Sequence, residues 1–324
     1  MRRAFLAVSA AALTCPRLLW AQAPAKPARI ALLMHGTPAS DKEHVDVFLE
    51  ALATLGRREG AGLAVERRHA QGRPERLPAL AEELARAGPD VILAPTRLAT
   101  EAARKATRTI PIVFCMFPDP VGAGAVASLA RPGGNATGVS HVLIELTAKR
   151  LEALRLVTPK LARLGALDAG DVTSRDQLAE LQRVAKPLGV ELVAIEANSR
   201  EKYEEAFARF RKAGVDGVFV LGSIVNFSHR QLIGELVVRH RIPSVHTTPD
   251  YVVAGGLMGY APDTVTMFRR AAVYVDRILK GDKPAELPVE LPTVFQLSVN
   301  LKTAKAIGLT IPQSVLLRVD RVIE

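Results

Sequence analysis

Residues 109–124 read TIPIVFCMFPDPVGAG, and residues 241–256 read RIPSVHTTPDYVVAGG. Both run Ile-Pro, a short apolar or β-branched run, Pro-Asp, then small residues ending in Gly. A second pair lies upstream, AGPDVILAPT at 87–96 and AGVDGVFVLGS at 213–223. The offsets are 126 residues from Asp90 to Asp216, 132 from Pro111 to Pro243 and 131 from Asp119 to Asp250. Leu55-Gly56 and Leu188-Gly189 repeat at 133. A near-constant offset over several elements predicts two lobes built alike.

Outward from the repeat, the pattern is one of alternating strands and helices. Short apolar runs at Arg29–Met34, Leu63–Arg68, Val91–Ala94 and Ile112–Met116 read as buried parallel strands. Between them, apolar residues recur at helical spacing: Val45, Phe48, Leu52 and Leu55, then Leu77–Ala87, then Leu98–Thr107 with Thr96 as its cap. Ser40 and Glu43 are spaced as a capping box for the first helix. The second half repeats the scheme from Ala148 to Thr247 and adds a helix at Thr264–Leu279, a Pro-rich connection, a strand at Val294–Val299 and a tail of two short helices. The expected fold is α/β: two Rossmann-like lobes, each a parallel sheet covered on both faces, joined by a hinge. Lobe one is expected to hold residues 24–140 and 257–292, and lobe two 141–256 and 293–324. Crossings are expected near Gly138–Val142, Gly255–Met258 and Pro292–Val294.

Composition narrows the function. The 324 residues are 48% apolar and 23% charged, with 43 basic and 33 acidic side chains. Arg2, Arg3, the apolar run from Ala4 to Leu13 and Ala21-Gln22-Ala23 form an export signal over residues 1–23, with a twin-arginine look. Beyond it, 40 basic residues face 33 acidic ones, a net +7 spread along the chain without a basic block. With 5% aromatics this argues against a nucleic-acid partner. One cysteine, Cys115, then remains; inside an apolar strand it reads as a small buried hydrophobe.

Ligands of open parallel sheets bind beyond the carboxyl ends of the strands, where helix N-termini offer free N–H groups. Two facing lobes would line a cleft with those loops. Lobe one contributes Thr37, Thr96, Arg97, Phe117 and Asp119, with His35 the single histidine at a cleft position; His44, His69, His229 and His240 read as solvated surface residues. Lobe two contributes Asp171, Ser223, Asp250 and Tyr251, with Tyr260 close by. Thr37 and Thr96 suit a carboxylate, Asp171 or Asp250 an ammonium, and Phe117, Tyr251 or Tyr260 an apolar body. The chain has no nucleophile elbow, phosphate loop, zinc-helix motif or paired-cysteine motif, and no cofactor or metal is expected.

Several further stretches carry a family resemblance. They are Asp119-Pro120-Val121-Gly122, the run from Ser128 to Ser140 (SLARPGGNATGVS), Ala254–Tyr260, Tyr274–Gly281 and Asn300–Lys305. With these the chain resembles the bacterial ABC-transporter substrate-binding proteins of the tryptophan/tyrosine type, which have the type I periplasmic-binding fold. The resemblance implies a monomeric periplasmic protein that captures a small solute, an amino acid or related carboxylate, and hands it to a membrane permease and its ATPase. It also implies a carboxylate held by lobe-one loops, with Thr37, Thr96, the Phe117–Asp119 turn, Ser223 and Tyr251 as contacts. Two departures stand out: Asp168-Ala169-Gly170-Asp171 replaces the Asn-Pro usual after the first strand of lobe two, and Arg97 stands where small residues are usual. Arg97 would favour a dicarboxylate. The alternatives are an exported two-lobed enzyme, such as a glycosyl-transfer enzyme, and a solute sensor without transport.

Overall fold

The computed structural model describes residues 27–324; the export-signal reading lies outside them. The first sheet is built from β1 (Ala28–Met34), β2 (Arg58–Glu59), β3 (Gly62–His69), β4 (Val91–Leu93), β5 (Ile112–Phe117) and β6 (Ala136–Ser140), in the order β2-β3-β1-β4-β5-β6. All its pairings are parallel. Helices α1 (Lys42–Thr54), α2 (Leu77–Ala87) and α3 (Arg97–Ala106) connect them.

The continuous apolar run of β1 is explained by its two covered faces. Ile30, Leu32 and Met34 pack with Phe48 and Leu52 of α1, while Ala31 and Leu33 pack with Leu77 and Leu84 of α2. Each of these buried Ile, Leu, Met and Phe side chains contributes on the order of 2 kcal/mol of hydrophobic stabilisation. Cys115 belongs to the first of these clusters and is fully buried, which pushes its thiol pKa upward.

The second lobe runs α4 (Thr147–Val157), β7 (Arg163–Asp168), α5 (Val172–Ala185), β8 (Glu191–Glu196), α6 (Arg200–Ala213) and β9 (Gly217–Val220). Then come α7 (Ile224–Ser228), α8 (Arg230–His240), β10 (Ser244–His246), α9 (Pro249–Val253) and β11 (Met258–Pro262). After α10 (Thr264–Leu279) the chain ends with β12 (Phe295–Asn300), α11 (Leu301–Ile307), α12 (Gln313–Leu316) and β13 (Arg321–Ile323). The sheet order is β13-β12-β11-β10-β9-β7-β8. Only the β11–β12 pairing is antiparallel.

Superimposing the two orders matches β3-β1-β4-β5-β6 with β8-β7-β9-β10-β11. The repeat therefore extends one strand further than its strings suggest. This corrects the expected boundary at residue 257. β11 pairs with β10 through Val245↔Met258 and belongs to the second sheet, so the second crossing falls at Asp263. Helix α10 then returns to the first lobe, where Met267, Phe268, Ala271 and Val275 pack with Val45 and Phe48. The third crossing follows Glu290, which exchanges backbone hydrogen bonds with Gly138 and Ser140 at the edge of β6.

Two elements escape the hydrophobic pattern. Strand β6 is Ala-Thr-Gly-Val-Ser, and Gly138 at φ 148° stands where a Cβ would fall 1.9 Å from the Phe114 carbonyl oxygen. That close approach, more than apolarity, explains the glycine. The expected capping box also gives way: α1 begins after Asp41, and the Ser40 hydroxyl accepts from the Thr37 amide at 2.9 Å.

The motif residues behind the family resemblance hold this frame. Tyr274 donates to the Pro288 carbonyl, and Asp276 meets Arg57 of the first lobe at 2.6 Å. Asn300 caps α11 and donates to the Val252 carbonyl, and Asn135 donates to the carbonyls of Thr107 and Ile110.

Candidate functional site

The loops that follow β1, β3, β4, β5 and β6 meet those that follow β7, β9 and β10 around a cavity of about 410 Å³. Every contributing loop leaves the carboxyl end of a strand, which is where parallel sheets leave helix N-termini free.

On the first lobe, Thr37 and Thr96 line the cavity as expected. Their hydroxyls are already used as acceptors, from the Ser40 amide at 3.1 Å and the Ala99 amide at 3.4 Å. Each keeps one O–H to donate. Arg97 also lines the cavity, but two carboxylates neutralise it: Glu101 one turn along α3 at 2.9 Å, and Asp176 of α5 across the cleft at 3.3 Å. This removes the expected demand for a second anion at Arg97.

His35 lies at the end of β1, and neither ring nitrogen has a protein partner. Burial lowers its pKa to about 4, against an opposing pull from Glu75. His141, just past β6, is likewise lowered to about 3 by burial and then by Arg150, with Nε2 unpartnered. Both imidazoles are therefore neutral near pH 7 and can each donate and accept one hydrogen bond.

On the second lobe, Asp171 caps α5 by accepting from the Ser174 amide at 2.9 Å, and its other oxygen accepts from the Ser223 hydroxyl. Ser223 in turn caps α7 through the amides of Val225 and Asn226. Tyr251 is 1% exposed, stacked on His246 with ring centroids 5.0 Å apart, and its hydroxyl has no protein partner. Thr248, the N-cap of α9, has a buried hydroxyl in the same condition.

Four expected site residues fall away from the cavity. Phe117 turns into the first-lobe core against Phe114, with centroids 5.4 Å apart: the pairing of β5 with β6 shifts register between these two residues, so that they share a side of the sheet although three positions apart. Asp119 is exposed, sits at φ 42° and spends its carboxylate on the Gly122 amide at 2.8 Å. Asp250 lies in the first turn of α9, whose following residue Tyr251 takes the cavity side. Tyr260, on β11, stacks on Phe295 with centroids 6.1 Å apart, and its carbonyl receives the Arg150 Nε at 2.8 Å.

The structure adds residues that the sequence left out. His44, expected on a solvated surface, is buried at the cavity wall, stacked on Phe268 at 4.7 Å and bonded to Thr264. His69, read the same way, faces Asp41 at 3.1 Å. Arg230, at the start of α8, lines the cavity above the Phe227 ring. In the sequence it is one cation in a helical stretch, with nothing to single it out.

Among the described residues no cluster of three or more His, Cys, Asp or Glu could hold a metal ion, and no helix is long and apolar enough to cross a membrane.

A family model described as ABC transporter substrate binding protein matches residues 30–323. A tyrosine-binding protein of Clostridioides difficile strain R20291 is 26% identical over 263 residues, which span 81% of this chain and 75% of that protein. Among solved structures, the ABC domain in complex with L-Trp from Streptococcus pneumonia superposes with a TM-score of 0.84 at 24% identity, covering 92% of this chain and 100% of that one. A conserved domain protein from Vibrio cholerae O1 biovar El Tor does so with a TM-score of 0.85 at 26% identity, covering 92% and 100%.

Proposed function

This chain belongs to the family of ABC transporter substrate-binding proteins, and we propose that it captures an amino acid or a related small carboxylate between its lobes and delivers it to a membrane permease and its ATPase. Family and fold are those typical of non-catalytic, extracytoplasmic solute-binding proteins of ABC importers. The observation that carries the ligand reading is the cavity itself. At about 410 Å³ it lies in the range of small-molecule sites, and loops from both sheets wall it.

The amino-acid class is supported by the polar groups around the cavity. Asp171 supplies a carboxylate with no basic partner among the described residues, suited to an ammonium. The neutral imidazoles of His35 and His141 and the hydroxyls of Thr248 and Tyr251 are buried donors and acceptors that need partners. Thr96 and Ser223 cap helices around the same space, and Thr37 stands in the turn before α1. The Arg97–Asp176 pair, which crosses the cleft, supports reading the lobes as closed.

Capture then needs rotation about three crossings, at residues 141–146, at Asp263 and at 291–294. A solute that touches both lobes binds the closed state better than the open one, so it shifts the population toward closure. The permease can then distinguish loaded from empty protein by shape. No bond is made or broken, and the working unit is a monomer.

A thermal-shift screen of the purified protein against amino acids, dicarboxylates, sugars and nucleosides tests this. A ligand present at a thousandfold over its Kd stabilises the folded state by about 4 kcal/mol. The reading predicts a clear rise for at least one amino acid. A rise confined to sugars or nucleosides would overturn the amino-acid reading, and turnover of any of them would overturn the binding-protein reading.

A further inference from the structure

Four charged side chains line the cavity, and their partners differ. Asp41 faces His69 at 3.1 Å. Arg97 is met by Glu101 and Asp176. Asp171 takes hydrogen bonds from Ser174 and Ser223 but has no basic partner. Arg230 has no carboxylate partner among the described residues. Its guanidinium carbon stands 4.4 Å from the Phe227 ring centroid, and one N–H donates to the Phe227 carbonyl at 3.0 Å. A guanidinium carries five N–H donors, so most of its fork remains free while the aromatic shelf fixes its plane.

Tyr251 meets the same aromatic shelf and lines the same cavity. Its hydroxyl is almost wholly buried and has no protein partner, and its ring sits against Phe227, with centroids 5.8 Å apart. Burial is the main influence raising its pKa; Tyr203, Asp250 and Asp171 push the same way, and Arg230 opposes them. Arg230, Tyr251 and Asp171 all belong to the second lobe: Arg230 opens α8, Tyr251 lies in α9 and Asp171 caps α5.

We propose that the second lobe alone reads both charges of a zwitterionic solute, with Arg230 and the Tyr251 hydroxyl receiving its carboxylate and Asp171 its ammonium. The proposal rests on the cavity being the solute site. It reverses the division of labour that the family resemblance implies, in which lobe-one loops hold the carboxylate. The competing lobe-one groups are hydroxyls that already accept a backbone amide, and a charge-assisted bond is roughly twice as strong as a neutral one. The open second lobe would thus be loaded first, and the first lobe would close over the body of the solute with His35 and His141. Arg97, the cation that the sequence singled out, stays paired with Glu101 and Asp176 as a structural cation.

Titration calorimetry with L-tyrosine, L-tryptophan, L-phenylalanine and L-leucine, each beside its carboxamide, tests the assignment on the purified protein. An amino acid that binds is expected to lose about 10- to 100-fold in affinity as its amide, the range for a hydrogen bond to a charged group. Arg230→Gln should cost the acid a similar factor and leave the amide unchanged, which also shows that the variant is folded. Arg230→Lys should recover part of the loss, and Arg97→Gln should leave acid binding within about threefold, as for a screened ion pair. Equal binding of acid and amide to the wild-type protein, or an Arg230→Gln loss that is the same for both, overturns the proposal. If none of the four binds and a neutral sugar does, the cavity remains a solute site and the zwitterion assignment falls. If no solute binds, both fall.

Discussion

Val142 has a φ of 45° at the first crossing, in a region that β-branched residues rarely enter. Strain of this kind is worth about 1–3 kcal/mol and persists only where the surroundings over-determine it. Val142→Gly and Val142→Ala both remove the buried side chain, so their difference isolates the backbone. The glycine variant is expected to be more stable than the alanine variant by about 1 kcal/mol in urea unfolding, the reverse of the order at an ordinary helical or extended position. At this scale the sequence was legible where one residue's chemistry is fixed by its neighbours. Thr96 reads as a cap and is one; Asp171 and Ser223 fall at the cavity because they begin helices there. It was illegible where a local break in alternation decides, as between Phe114 and Phe117 in β5. Phe117 and Asp119 sit at the expected strand end, but one turns into the core and the other onto the surface. Arg230 and His44 gave no sign, since a single cation or imidazole in a helical stretch looks the same whether it faces water or a cavity.

Among the elements, β6 and the α3–α5 contact carry the clearest consequences. Substituting Gly138 by alanine would drive a Cβ into the Phe114 carbonyl, and is expected to destabilise the first lobe by about 3 kcal/mol, read as a lower urea midpoint with an unchanged slope. The Arg97–Asp176 pair links the lobes, but the Asp176 side chain is 48% exposed, so solvent screens it. Asp176→Asn should therefore weaken solute affinity by no more than about threefold, and added salt should remove the difference from wild type. Strands with covered faces were readable as apolar runs, which is why β1, β4 and β5 match their expected spans within a residue or so. β6 was not, because Ala, Thr, Gly and Ser carry little hydrophobic pattern and pair for reasons of close approach. The tail strand β13 hid for a similar cause: three residues at a sheet edge, two of them exposed, leave no period to detect.

For the whole molecule, buried histidines govern the response to acid. His35 is lowered to about 4 and His141 and His246 to about 3, each chiefly by burial. Between the ordinary histidine value of 6.5 and those values the unfolded chain binds protons that the folded chain refuses. Stability is therefore fully present above about pH 6.5 and falls as pH drops toward 4, by up to about 1.4 kcal/mol per pH unit for each histidine. Asp41, whose pKa burial raises, works in the opposite sense at the lower end of this range. Thermal midpoints measured from pH 7.5 to 4.5 should fall accordingly, and His141→Gln should flatten the fall. The repeated strings that first suggested two lobes hold at this scale too, and the match of β6 with β11 extends them. Only the place where the chain changes lobe was hidden, since Leu257–Pro262 would suit either sheet as a short apolar strand. Small-angle X-ray scattering, with and without the amino acid that most raises the thermal midpoint, addresses hinged capture directly. The account predicts a smaller radius of gyration with the amino acid bound; an unchanged radius, with the amino acid shown to be bound, would contradict it.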